Sequence, residues 1–113
     1  MTRKRKPLPS ASLHIVLALL DGELHGYEVM NRVAEISNGA VRMGPGTVYG
    51  TLNRLLDDGL IEETTDRVAR ADSERRRYYQ LTAAGRAVAI DELSRLRRMV
   101  QGASRHLPDP ATT

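Results

Sequence analysis

Thr47, Tyr49, Gly50, Thr51, Asn53 and Arg54 lie within one short stretch, and each is either small or carries a hydrogen-bond donor. Such side chains suit the edges of base pairs and the oxygens of phosphates. Arg54 offers a planar fork to a guanine edge or a phosphate, Asn53 and Thr51 can read or position, and Tyr49 can bring a hydroxyl to a phosphate. A second group is Arg75, Arg76 and Arg77. In a strand Arg75 and Arg77 share one face and Arg76 takes the other, so at least one side is strongly basic. A third is the run Arg3, Lys4, Arg5 and Lys6. All three groups allow a polyanion partner, and a solvated strand end is the competing account of Arg75, Arg76 and Arg77.

Other chemistries fare worse. The chain has no Cys, which excludes disulfides, thiolate metal sites and cysteine nucleophiles. His14, His25 and His106 have no metal-ligand spacing. His14 reads as a core or interface residue, and His25 as a cap or brace for the helix that follows it. Gly44-Pro45-Gly46-Thr47 resembles a phosphate loop only superficially, since the required Lys is missing. With no paired carboxylates in an evident pocket, no enzyme, no cofactor and no metal are expected.

These groups must be positioned by a small scaffold. The chain has 113 residues, enough for one domain, and 41% hydrophobic residues, enough for a core. It has four Tyr but no Trp and no Phe, so Leu, Val, Ile, Met and Ala must build that core. A stacking platform for single strands is therefore not expected. The net charge of +3 is unevenly spread: residues 1–10 carry four cations and no acid, whereas residues 11–60 carry three Arg against six acids. The longest apolar run, residues 15–20, is far too short to span a membrane. A cytoplasmic protein is the expectation.

A basic arm over 1–9 leads into a first helix capped by Ser10 or Ser12, with Leu13, Val16, Leu17 and Leu20 at helical spacing. A second helix is predicted over 26–37, with Tyr27, Met30, Val33 and Ala34 inward and Asn38-Gly39 as its left-handed stop. Residues 40–43 are read as a short extended piece. A third helix is predicted over 45–58, opened by Pro45 and closed by Gly59, with Val48, Leu52, Leu55 and Leu56 inward. Two strands follow, one beginning at Leu60-Ile61 and one over 75–81, forming a hairpin with a long polar tip. Tyr27, Tyr78 and Tyr79 are read as packing residues.

Thr82 should cap a long helix reaching about Arg105. On it Ala89, Leu93, Leu96, Val100, Ala103 and Leu107 form a heptad seam. A helix of this length, roughly 35 Å, outruns the core that precedes it, and a second copy of the chain is the natural cover. Leu13 and Leu17 are placed in the same interface. The fold class is therefore mainly α with a small β-hairpin: a winged helix-turn-helix over 10–82, a dimerisation helix over 83–107 and a tail over 108–113. In that arrangement the third helix enters the major groove of double-stranded DNA and the hairpin wing touches the neighbouring backbone. Small outward residues let the helix sit deep, and Gly50 is accepted at a cost of about 1 kcal/mol against Ala. Relief of crowding against another helix is the competing account of Gly50. Asp57 and Asp58 shift contact toward the helix N-terminal half.

The motifs carry a family resemblance. His25-Gly26-Tyr27-Glu28-Val29 resembles the HGYE motif of the PadR family of bacterial transcription regulators. Gly46-Thr47-Val48-Tyr49, followed by Leu52, Arg54, Leu55 and Asp58-Gly59-Leu60-Ile61, resembles its recognition helix. Arg75-Arg76-Arg77-Tyr78-Tyr79-Gln80-Leu81-Thr82, with Gly85, resembles its wing strand. The resemblance covers roughly residues 10–100 and is to a short member without the larger C-terminal domain. It implies a homodimeric repressor of an inverted-repeat operator, released from DNA by small hydrophobic or phenolic effectors or by other signals, with a small-molecule effector placed at the dimer interface. Gly50 stands where many members have Pro. The absence of Trp removes the aromatic platform with which short members hold flat drugs. A winged-helix adaptor that binds protein instead of DNA is the alternative from another class.

Overall fold

The computed structural model describes residues 6–65 and 77–108. Helix α1, Ser10–Ala18, is short and buries Ser12, Ile15, Val16 and Ala18. Neither Ser10 nor Ser12 caps it. The N-cap is Pro9, whose carbonyl accepts from the Leu13 N–H at 2.9 Å. Ser10 is already inside the helix, where its carbonyl lies 2.8 Å from His14 Nδ1, and Ser12 faces the core. A 3₁₀ turn, Leu19–Asp21, carries the chain to a two-residue strand β1, Leu24–His25. This strand is too short to show a period, which is why the sequence pattern does not reveal it.

Helix α2, Gly26–Ile36, begins with a capping box: His25 Nδ1 accepts from the Glu28 N–H at 3.3 Å and the Glu28 carboxylate accepts from the His25 N–H at 3.0 Å. That start sets the phase of the helix. Gly26, Val29 and Val33 point inward, while Tyr27, one step round from Gly26, is 62% exposed and not part of the inner stripe. The expected stop is present. Asn38 has φ 53° and Gly39 φ 82°, and their amides bond back to Glu35 and Ala34 at 3.0 and 2.7 Å, closing the helix in a Schellman motif. The Ser37 hydroxyl then accepts from the Val41 N–H at 3.0 Å, fastening the link to the next helix.

Helix α3, Pro45–Asp57, has Pro at its first position and ends at Gly59 (φ 76°) in a second Schellman motif, with Leu60 N–H bonded to Leu55 O at 3.0 Å. Strands β2, Ile61–Thr65, and β3, Arg77–Leu81, pair antiparallel from Ile61 opposite Leu81 to Thr65 opposite Arg77. β1 adds to the other edge of β3, giving the order β1-β3-β2. Helix α4, Ala83–Ala103, is capped as expected: the Thr82 hydroxyl accepts from the Gly85 N–H at 3.0 Å and donates to Gly59 O at 2.8 Å. A 3₁₀ turn, Ser104–His106, follows.

The core draws Ile15, Val16 and Leu19 from α1 and its turn, Val29 and Val33 from α2, and Val48, Leu52 and Leu55 from α3. Ile61, Tyr79 and Ala89 close it from the sheet and α4. Among the described residues no helix is long and apolar enough to cross a membrane.

Candidate nucleic-acid interface

The three-residue and four-residue steps of α3 divide it into two faces. Val48, Thr51, Leu52 and Leu55 are buried. Gly46, Thr47, Gly50, Asn53, Arg54 and Asp57 are exposed along the opposite side. Thr51 therefore belongs to the inner row, 6% exposed, and does not stand among the outward donors where the sequence reading put it. Its position three after Val48 and four before Leu55 fixes that. Among the described residues no heavy atom beyond the helix's own backbone and the chain neighbours lies within 4 Å of where a Cβ would sit at Gly50, and the same holds at Gly46. Crowding against another helix is thus not what Gly50 relieves. No side chain caps α3, and the amides of Gly46 and Thr47 precede its first intrahelical bond, from Val48 N–H to Gly44 O at 3.0 Å. This end carries the positive pole of the helix dipole and suits an anion.

Tyr49 lies at the border of the two faces, 44% exposed. Its ring and hydroxyl occupy the space a side chain at Gly26 would need. The lack of a Cβ at Gly26 seats Tyr49 on the first turn of α2 and so locks the pitch of α3 against α2. Gly26 and Tyr49 belong to separate sequence motifs, and only the tertiary fold brings them together.

On the hairpin, Arg77 is exposed, with its Nε 3.2 Å from Glu63 Oε2 on the neighbouring strand. Tyr79, directly opposite Glu63 in the register, is buried in the core. Burial first, and the Glu63 carboxylate second, hold its phenol above the ordinary value, while Arg77 acts the other way through its charge and a hydrogen bond. Glu63 did not stand out in the sequence, because only strand register brings it to Arg77. Lys6 is exposed ahead of α1. Arg3, Lys4, Arg5, Arg75 and Arg76 lie outside the described residues. Among the described residues no three His, Asp or Glu side chains could together hold a metal ion.

The seam on α4 is split by the fold. Ala89, at 0% exposed, fills the protomer's own core and is not available to a partner. Leu96, Leu13 and Leu17 are half-buried. Leu93, Val100 and Leu107 are 41, 61 and 67% exposed, Ala103 is exposed, and Ile90 and Met99 join them. Every residue from 97 to 108 is exposed, so among the described residues nothing covers the distal part of α4. Glu92 marks the boundary: its carboxylate is buried and accepts from Arg95 at 2.7 Å.

Comparison with known proteins gives concordant results. The family model described as "Transcriptional regulator PadR-like family" matches residues 16–91. A transcriptional regulator of Mycobacterium tuberculosis is 39% identical over 97 residues, covering 83% of this chain and 85% of that protein. Among solved structures, Bacillus subtilis PadR in complex with operator DNA superposes with a TM-score of 0.66 at 25% identity, over 75% of this chain. This chain spans about half of that protein, 47% of its length. A PadR family transcription regulator from Clostridium difficile superposes with a TM-score of 0.74 at 24% identity, over 88% of this chain and 100% of that one.

Proposed function

This chain belongs to the PadR-like family of transcriptional regulators, not to a family of enzymes, and from that membership we propose that it is a homodimeric repressor that binds an inverted-repeat DNA operator through α3. The observation that carries the reading is the outer face of α3. It combines an uncapped N-terminus, two glycines with open space above them, and the donors Thr47, Asn53 and Arg54. A groove about 12 Å wide admits a helix whose outward residues are this small. The similar Bacillus subtilis PadR is solved on its operator, which supports carrying DNA binding to this chain.

In this reading the N-terminal half of α3 enters the major groove. The amides of Gly46 and Thr47 and the hydroxyl of Tyr49 take phosphates, and Arg54 with Asn53 faces base edges. Arg75, Arg76 and Arg77 of the wing and Arg3, Lys4, Arg5 and Lys6 of the arm contact flanking phosphates. The distal α4 face, with Leu93, Leu96, Val100, Ala103 and Leu107, joins two copies, and Leu13 and Leu17 border it. That sets the two α3 helices a fixed distance apart. A small apolar effector held between the copies would act by changing that distance. The protein works in the cytoplasm, where its operator is.

The test is binding of the purified chain to the DNA upstream of its own gene, against a scrambled duplex of equal length, at two salt concentrations. Preference for the native fragment that survives the higher salt supports a sequence-reading regulator. Equal binding to both, lost at higher salt, contradicts it, because charge alone would then account for the contact.

A further inference from the structure

Arg77 and Glu63 lie on the side of the sheet that faces the helices. β3 alternates, so Arg77 shares the face of buried Tyr79, while Tyr78 lies on the other face with its ring edge-on to His25 at 5.6 Å. Glu63 is directly opposite Tyr79 in the register and diagonal to Arg77, which brings Arg77 Nε to 3.2 Å from Glu63 Oε2. Tyr49 of α3 packs on Gly26, next to His25, which pairs with Tyr78 on β3, so β3 adjoins the N-terminal half of α3. The guanidinium is 73% exposed, and the carboxylate holding it 35%. A carboxylate and a phosphate oxygen offer a guanidinium the same kind of acceptor.

We propose that Glu63 is an internal stand-in for a DNA phosphate, holding Arg77 until a backbone phosphate displaces it. The inference rests on the DNA-binding reading above and adds regulation of the wing contact to it. With Glu63 present, Arg77 must leave one anion to meet another, so it adds little to binding of arbitrary DNA. A duplex seated by α3 brings its phosphate to the wing at a fixed place and completes the exchange. Glu63 thus lowers affinity for random DNA and leaves discrimination to the recognition helix.

The test measures binding of wild type, Glu63→Gln, Arg77→Ala and the double variant to a random-sequence duplex across a salt series. Glu63→Gln keeps the side-chain size and a polar group at an exposed position, so the fold is preserved, which circular dichroism checks. The expected result is about two- to fivefold tighter binding by Glu63→Gln, the scale of an exposed charge pair. Its log–log salt slope should steepen by up to about 0.9, one more phosphate fully neutralised. The gain should vanish in the double variant, which should match Arg77→Ala. A gain that persists without Arg77 overturns the proposal, since the carboxylate would then act only through its general field. Weaker binding by Glu63→Gln also overturns it, since Glu63 would then be a brace that aims Arg77. Wild type binding no duplex at low salt would instead sink the DNA-binding reading itself, which the other outcomes leave intact.

Discussion

At the scale of single residues, Gly50 separates stability from function most cleanly. A methyl group there meets nothing within 4 Å, and the residue is helical. Gly50→Ala should therefore raise stability by up to about 1 kcal/mol from helix propensity alone, read by urea melts. In the proposed docking the methyl would stand where the duplex approaches, so the variant should also weaken operator binding. Arg54→Ala should weaken the operator more than random DNA, by about 1–3 kcal/mol if it reads a base, and equal losses on both would remove it from the base-reading set. Tyr79 gives a pH signature. Its folded phenol titrates above the ordinary value of 10.0, so the fold favours the neutral form. That contribution is intact below pH 10.0 and is lost as pH rises past it toward the folded value. Denaturant melts through that range should show a decline in wild type that Tyr79→Phe lacks. The exposed donors of α3 were legible from residue type and helical phase. Thr51 was legible by the same phase, since Val48 and Leu55, both inward by their spacing, put it in the buried row, but its hydroxyl suggests an outward role. The Gly26–Tyr49 and Glu63–Arg77 contacts join residues distant in sequence, and no local pattern encodes such pairs.

At the scale of elements, the junction between hairpin and α4 holds the wing in place. Thr82 bonds to Gly59, Leu60 and Gly85, and a Cβ at Gly85 would run into the Leu60 carbonyl. Backbone cannot yield as a flexible side chain can. Gly85→Ala should thus cost about 1–3 kcal/mol, the usual price of overpacking, and Thr82→Ala about 1 kcal/mol for the lost cap, both measured by thermal or urea unfolding. The helix ends were readable from sequence wherever a cap or stop residue carries its own chemistry: His25, Asn38-Gly39, Pro45, Gly59 and Thr82. Reading failed where a helix begins without one. Ser10 and Ser12 offered hydroxyls that do not cap the helix, because the chain turns into α1 one residue earlier, at Pro9. β1 escaped notice because two residues have no period, and its pairing with β3 depends on the tertiary fold.

At the scale of the whole molecule, the heptad spacing on α4 was visible, but not where the protomer's core ends and the free seam begins. The fold places that boundary at Glu92, with Ala89 inside and Leu93, Val100 and Leu107 outside. Val100→Glu, at a position 61% exposed in the protomer, should leave the fold intact yet give monomers by light scattering. Operator affinity should then fall by more than about tenfold, since two linked half-site contacts become one. A variant that stays dimeric would move the interface off this face. Two α3 helices joined in the proposed way would read a site with matching symmetry. The most direct test is therefore a hydroxyl-radical footprint of the chain on the fragment it selects. Two protected half-sites related by inverted sequence are expected, with centres about 10 base pairs apart or a multiple of that. A single protected segment, or protection spread evenly along the duplex, would contradict that symmetric reading.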